Sequence, residues 1–388
     1  MTPNLSLPLP HLAEQFLLRP GVTFLNHGSF GACPRPVFER YQALQRELEG
    51  QPVDFLGRRV RGLISEARAS LEGFIGAEAG TVVFAPNVTH ALNIVTRSLN
   101  LQPGDEVLTT DHEYGAIDRA WIFSCEKRGV RYVAQPLPLP LESAEAIVEQ
   151  VWAGVTERTK VISLSHITSP TAVILPVAEI CRRAREAGIL TVIDGAHAPG
   201  QIDLDMRAIG ADFYGGNCHK WLMAPKGAGF LYARPEVQGL LEPLVVGWGW
   251  RSRTPSGSDY IDHFDWLGTD DPSAVLSVPA AIAFQRENSW GEVRAACHAL
   301  AAEARCRVAE LTGLPQPYPD STEWYSQMTL LPVPGDPATL HRRLWDEHQI
   351  EIPGTAHGEH SFLRISIQAY NTPEDVDRLV EALRGLLR

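Results

Sequence analysis

Lysine is scarce in this chain: 388 residues hold four (Lys127, Lys160, Lys220, Lys226) against thirty arginines. Chemistry that needs a side-chain amine is therefore confined to four positions. Cysteine is thin as well, six residues (Cys33, Cys125, Cys181, Cys218, Cys297, Cys306) with no C-x-x-C pair. In a chain this long that argues against a disulfide or zinc framework and for free thiols in a reducing compartment; no metal site is expected. Basic charge is outweighed, giving a formal net charge of −12, so general affinity for nucleic acid is not expected. No uncharged apolar run approaches the roughly 18 residues of a membrane span. The start, MTPNLSLPLPHLAEQF, lacks the basic opening and continuous apolar core of a signal peptide. A cytoplasmic protein with no membrane partner is the expectation. Repeats and low-complexity tracts are missing too, apart from the Pro-rich linker Pro136–Glu142.

What is present is a regular alternation. β-branched, apolar runs at Thr81–Phe84, Glu106–Thr109, Arg131–Val133, Lys160–Ser165, Leu190–Ile193 and Gly227–Tyr232 read as strands. Longer amphipathic stretches between them, such as Arg58–Phe74, Ala91–Ser98, Leu141–Val151 and Val177–Glu186, read as helices. Strands joined by helical crossovers predict an α/β domain with a mostly parallel sheet flanked by helices. Past residue 255 the pattern changes to a loop, an apolar helical run Ala274–Phe284, an Ala/Arg-rich helix Glu292–Leu311, and then strand, helix, strand, helix. The expected division is an N-terminal segment 1–20, a large domain 21–272, and a connecting helix with a small C-terminal α+β domain over 273–388.

Ligands of parallel α/β sheets gather where strand carboxyl ends open into loops. The strand Leu190–Ile193 runs into Asp194-Gly195-Ala196-His197, and a carboxylate at a buried strand end is costly unless it meets a cation or strong donor. Twenty-six residues on, Lys220 stands between His219 and Trp221, ahead of Pro225-Lys226-Gly227-Ala228-Gly229. That setting suits a partly desolvated amine, whose pKa falls toward the nucleophilic free base. Lys127 and Lys160 sit in polar contexts and Lys226 in a turn. Strand Thr81–Phe84 leads through Asn87, Val88 and Thr89 into a helix, whose N-terminal N–H groups suit a phosphate dianion. Arg364, in a C-terminal strand, can hold a carboxylate through two parallel hydrogen bonds.

Together these residues resemble the class V aminotransferase family of fold-type I pyridoxal-5′-phosphate (PLP) enzymes. The matching segments are LNHGSFG, DHEYGA, SHITSPTA, DGAHAPG, GNCHKW, APKGAGF, GTDDPSA and RISIQAYN, and they are most similar to the isopenicillin N epimerase-like branch. The resemblance implies a large PLP-binding domain and a small C-terminal domain. Lys220 is then the internal aldimine lysine and the acid/base at the substrate α-carbon. Asp194 pairs with the pyridine nitrogen, and His197 touches the ring or its phenolic oxygen. Asn87, Val88 and Thr89 form the phosphate cup, with Asn217 and His219 as further phosphate or aldimine contacts. Tyr114 is favoured as the stacking residue, with His112 second, and His166 and Ser169 lie near the phenolic oxygen. Asn26 and His27 belong to a loop covering the substrate, and Arg364 holds its carboxylate. Trp266–Asp270, with Thr269, is the segment through which a neighbouring subunit of a homodimer reaches the phosphate.

The implied substrate is a small molecule, an amino acid that loses its α-proton. Epimerase or aminotransferase chemistry leads; C–S lysis of a cysteine-sulfoxide type, or β-elimination, is the alternative. Desulfurase chemistry is argued against, since the loop that would supply a nucleophilic thiol reads Ile352–His360 without cysteine. Epimerisation needs proton return on the opposite face, for which Tyr114, His112 or water are the candidates. A non-catalytic PLP-binding regulator would call for a DNA-binding domain or a degraded lysine motif, and neither is present.

Overall fold

The computed structural model describes residues 10–387; residues 1–9 of the expected N-terminal segment lie outside the described residues. A seven-stranded sheet forms the centre: β1 (Val82–Ala85), β2 (Glu106–Thr110), β3 (Arg131–Gln135), β4 (Thr159–Ser165), β5 (Leu190–Gly195), β6 (Phe213–Asn217) and β7 (Gly229–Ala233). Their spatial order is β1-β7-β6-β5-β4-β2-β3, and every pairing is parallel except those of β7 with β1 and β6. β2, β6 and β7 are buried along their whole length, as are all but the first residue of β5. Helices cover both faces, which is why these strands read as continuous apolar runs rather than alternating ones.

In the central sheet β6 is the strand that sequence reading omits; in the C-terminal sheet it is Gly354–His357, which was expected to be part of a loop and instead pairs with His360–Ser366. Phe213-Tyr214-Gly215-Gly216-Asn217 carries two glycines, and glycine weakens a strand pattern. Both are there because neighbours come close. A Cβ on Gly215 would stand 2.7 Å from a Val88 methyl, and one on Gly216 would stand 2.3 Å from the Phe230 ring. The helix α1 (Val88–Ser98) therefore packs directly onto the strand that leads to Lys220.

A second sheet, antiparallel, lies toward the C-terminus: β9 (Gly354–His357), β10 (His360–Ser366) and β8 (Met328–Pro332), in the order β9-β10-β8. The long helix Trp290–Thr312 packs against β8. The expected helix Ala274–Phe284 is broken into Ser273–Leu276 and Val278–Glu287, with Pro279 near the start of the second piece. Proline cannot donate to a preceding turn and so restarts a helix rather than continuing it. The helix expected from Leu141 begins instead at Ala144, where the Ser143 side chain accepts from Ala146 N.

The two sheets are tied by the N-terminal stretch. Thr23–Phe24 pairs in parallel with Ile350–Glu351, and Ser366 N donates to Leu25 O. That crossing lays residues 26–31 over the lysine loop. Gly31, at φ 70°, has room only for hydrogen: a Cβ would meet His219 O at 2.1 Å. Among the described residues no helix is long and apolar enough to cross a membrane.

Candidate active site

The carboxyl ends of β5 and β6 are neighbours, with Asp194 opposite Gly215 and Gly195 opposite Gly216. Above them opens a cavity of about 600 Å³ whose lining includes Asp194, His197, Asn217, His219 and Lys220. Lys220 Nζ is 3.1 Å from His197 Nε2. Burial, reinforced by the Arg364 guanidinium, lowers the Lys220 pKa to about 7, while Asp194 pulls it upward. An amine in that range is substantially free base near neutrality. Asp194 Oδ1 accepts from Ala196 N at 2.8 Å, and its buried Oδ2 has no partner. Burial raises the Asp194 pKa, against the Ala196 N–H and the Lys220 charge. Such an orphaned oxygen invites a cationic N–H.

The opposite end of the cavity is the start of α1. Asn87 caps the helix by accepting from His90 N at 2.9 Å, and Asn217 Oδ1 accepts from Val88 N at 2.9 Å. Asn87, Val88 and Thr89 all line the cavity, so Asn217 locks the helix N-terminus to the strand bearing the lysine. Tyr114, the N-cap of helix α2 (Gly115–Arg128), lines the wall and is 44% exposed, leaving its ring face available. Ser169 lines the same wall and accepts from Arg364 Nη1 through both its carbonyl and its hydroxyl; Arg364 Nη2 donates to Ser29 Oγ at 3.1 Å. Arg364 is buried with no carboxylate partner, its Nε unbonded, and burial brings its pKa down to about 10. Arg364 itself is not among the cavity-lining residues; it lies behind Ser169 and Ser29, which are, as a buried cation without an anion partner.

Several expected residues are not brought to the cavity. His112 is fully buried, its ring nitrogens held by Thr171 Oγ1 and Leu137 O at 2.7 Å each, and its ring lies 3.9 Å from that of His357. With both nitrogens engaged and its ring against His357, it does not line the cavity. His166 bonds Tyr214 OH at 2.9 Å, with burial bringing its pKa to about 4. Side chains alternate across a strand and its extension, so Ser165 and Ile167 face the cavity while His166 faces away. His27 packs against the lysine loop rather than into the cavity, Nε2 to Lys220 O at 3.1 Å and Nδ1 to Tyr370 OH at 3.0 Å. Asn26 is spent on Glu351 and Ser29. The loop that holds these two reaches the cavity through Ser29 and Phe30 instead. Thr269 lines a separate hollow of about 330 Å³ that shares Pro86 and Gly227 with the main cavity.

Sequence reading also passed over residues that matter here. Ser165 and Lys226 line the cavity, with Lys226 Nζ donating to Gly31 O at 2.9 Å. Glu113 lies behind Ser165, accepting from its N at 2.7 Å and its Oγ at 2.6 Å, and burial lifts its pKa to about 7. Trp221, directly after the lysine, donates to His197 Nδ1 at 3.2 Å. Lys226 and Trp221 were marked only by their places beside Lys220, Lys226 in the turn that follows and Trp221 as its immediate neighbour; Ser165 and Glu113 had no signal of their own.

The family model of aminotransferase class-V matches residues 26–379. Isopenicillin N epimerase of Amycolatopsis lactamdurans is 39% identical over 387 residues, covering 96% of this chain and 97% of that protein. The protein of the same name from Streptomyces clavuligerus is 39% identical over 385 residues, covering 96% of each. Among solved structures, apo cysteine desulfurase from Thermococcus onnurineus NA1 superposes with a TM-score of 0.84 at 21% identity, covering 98% of both chains. That last likeness is one of fold.

Proposed function

The chain belongs to the class-V aminotransferase family, and from that premise we propose that it is a PLP-dependent enzyme that moves the α-proton of an amino acid, as an epimerase-like member of that family. PLP supplies an aldehyde for an amine to capture and a ring that accepts electron density from the α-carbon. The observation that carries the reading is the convergence, in one cavity, of a lysine with pKa about 7 and a buried carboxylate oxygen without a partner. Lys220 is the residue to hold the aldehyde carbon and to take or return the proton. Asp194 Oδ2 is the acceptor for the protonated ring nitrogen. Asn87, Val88 and Thr89, with Asn217, would hold the phosphate, and Tyr114 would cover the ring face. Arg364, steadied by Ser169 and Ser29, would orient the substrate carboxylate.

The purified protein is expected to be yellow, with a band that borohydride removes and that Lys220→Ala abolishes; an unchanged band in that variant would overturn the lysine assignment. Incubation with L-amino acids in heavy water separates the reactions. Deuterium at the α-carbon with loss of optical purity supports epimerisation, whereas pyruvate or sulfenate release would move the enzyme to C–S lysis. Homodimerisation is part of this proposal. Val245, Val246, Trp248 and Trp250 form an exposed apolar run, Trp248 at 80%, and Gly247 packs against Trp266–Leu267 beside the hollow that holds Thr269. A second copy covering that run would bring Thr269 toward its neighbour's phosphate end. Sedimentation equilibrium of wild type and of Trp248→Asp tests it: a dimer and a weakened dimer are expected, and a monomeric wild type would refute it.

A further inference from the structure

Trp221 is fully buried, and its indole ring stands behind His197, not in the cavity. Indole Nε1 is 3.2 Å from His197 Nδ1, and on the far side of that imidazole Nε2 is 3.1 Å from Lys220 Nζ. An indole N–H can only donate, so His197 Nδ1 must accept. Burial, with the Lys220 and Arg364 charges nearby, keeps the His197 pKa well below its ordinary value, so the ring is neutral. A neutral imidazole carries one N–H. With Nδ1 accepting, that hydrogen is on Nε2.

We propose that Trp221 is a positioning residue that fixes His197 as its Nε2–H tautomer, so that the imidazole presents a donor, and never an acceptor, to the Lys220 amine and whatever is bound to it. The inference rests on the Lys220 reading above. Its consequence is directional. A free amine has a lone pair to receive the Nε2–H, whereas an ammonium would set donor against donor. The tautomer therefore works in the same direction as the desolvation and the Arg364 charge that already lower the Lys220 pKa, and against Asp194. Trp221 is held in place through both its backbone and its ring. Its backbone carbonyl accepts from Gln285 Nε2 at 2.8 Å, its ring lies 5.0 Å from His27, and Gly200 leaves no room for a Cβ, which would stand 2.5 Å from Trp221 O.

Long-range 1H–15N correlations on histidine-labelled enzyme read the tautomer directly, with His197→Gln identifying the resonance. The Nε2–H form is expected in the wild type, and Trp221→Phe should transfer population to the Nδ1–H form. The second readout is the rate at which the apoenzyme captures PLP, followed by absorbance against pH. Trp221→Phe should raise its midpoint by about one unit, roughly tenfold slower capture below the midpoint. In a His197→Gln background the same substitution should leave the midpoint in place, because a primary amide always has a donor to offer. An Nδ1–H His197 in the wild type overturns the proposal without any variant. An equal midpoint shift in both backgrounds assigns Trp221 to packing and overturns it as well. Lys220→Ala protein that still forms a borohydride-fixed adduct overturns the lysine reading itself, a different failure from either of these.

Discussion

At the end of β5, Asp194 and His197 face the lysine cavity; two strands away, at the end of β2, Asp111 and His112 do not. Both segments set an aspartate and a histidine at or just past the end of a buried strand. What differs is which atoms are already spoken for. Asp194 keeps one buried oxygen without a partner, and His197 turns Nε2 to Lys220. Asp111 is half-exposed and accepts from Leu137 N, while His112 has both nitrogens bonded and its ring against His357 of β9. The buried acid at the β2 end is Glu113, whose oxygens accept from Thr110 Oγ1 and from Ser165. A buried polar atom left without a partner marks the place where a ligand completes the structure; a satisfied one marks support for the fold.

The sharpest way to break that contrast is to exchange the two carboxylates' fates. Asp194→Ala should lower turnover by at least about a hundredfold, the scale for deleting a preorganised charge partner of a reacting centre, and should shift the cofactor absorption. Asp111→Asn should leave the absorption unchanged. A cofactor spectrum indifferent to Asp194→Ala would end the assignment of this oxygen to the ring nitrogen.

Glu113 gives the next largest effect, and it is one of stability. Burial raises its pKa from 4.5 to about 7, with the bonds from Ser165 and Thr110 only partly opposing. Between those values the folded protein holds a proton that the unfolded chain releases. Stability therefore falls as pH rises through that window, by on the order of 3 kcal/mol if this group acts alone. In Glu113→Gln that decline should disappear, leaving stability flatter from pH 4.5 to 7. Denaturant midpoints across the window measure it, and parallel curves for the two proteins would show that Glu113 carries no such proton.

The fold and the centre of the site were legible because their signals are local. Strand–helix alternation shows in composition; Asp194 stands out at the end of an apolar strand, and Lys220 stands out between His219 and Trp221 ahead of a Gly-rich turn. Three kinds of feature were not legible. β6 was hidden because its two glycines answer to Val88 and Phe230, residues distant in sequence. His166 and Ser165 could not be told apart, since one residue of register decides which faces the cavity. His112 and His27 were drawn to the wrong surroundings because their partners, His357 and Tyr370, come from the far end of the chain.

His112 offers a smaller test of the same contrast. His112→Ala removes the bond to Leu137 O and leaves Thr171 Oγ1 with Thr168 Oγ1 alone, which should cost about 1–3 kcal/mol of stability. The absorption of bound cofactor and its pH dependence should not move. A changed spectrum would return His112 to the cavity wall and undo the distinction drawn between the two strand ends.

The smallest effect expected is at Tyr114, which lines the cavity from the β2 end together with Ala116. Its hydroxyl makes no capping bond to α2, so the ring face is what it contributes. Tyr114→Phe should therefore retain PLP as wild type does. Tyr114→Ala should weaken retention by the worth of one aromatic contact, about 0.5–1.5 kcal/mol or roughly two- to tenfold in Kd. Equilibrium dialysis of the three proteins measures that ladder. Equal loss in Phe and Ala would mean that the hydroxyl, not the ring, is what the cofactor feels.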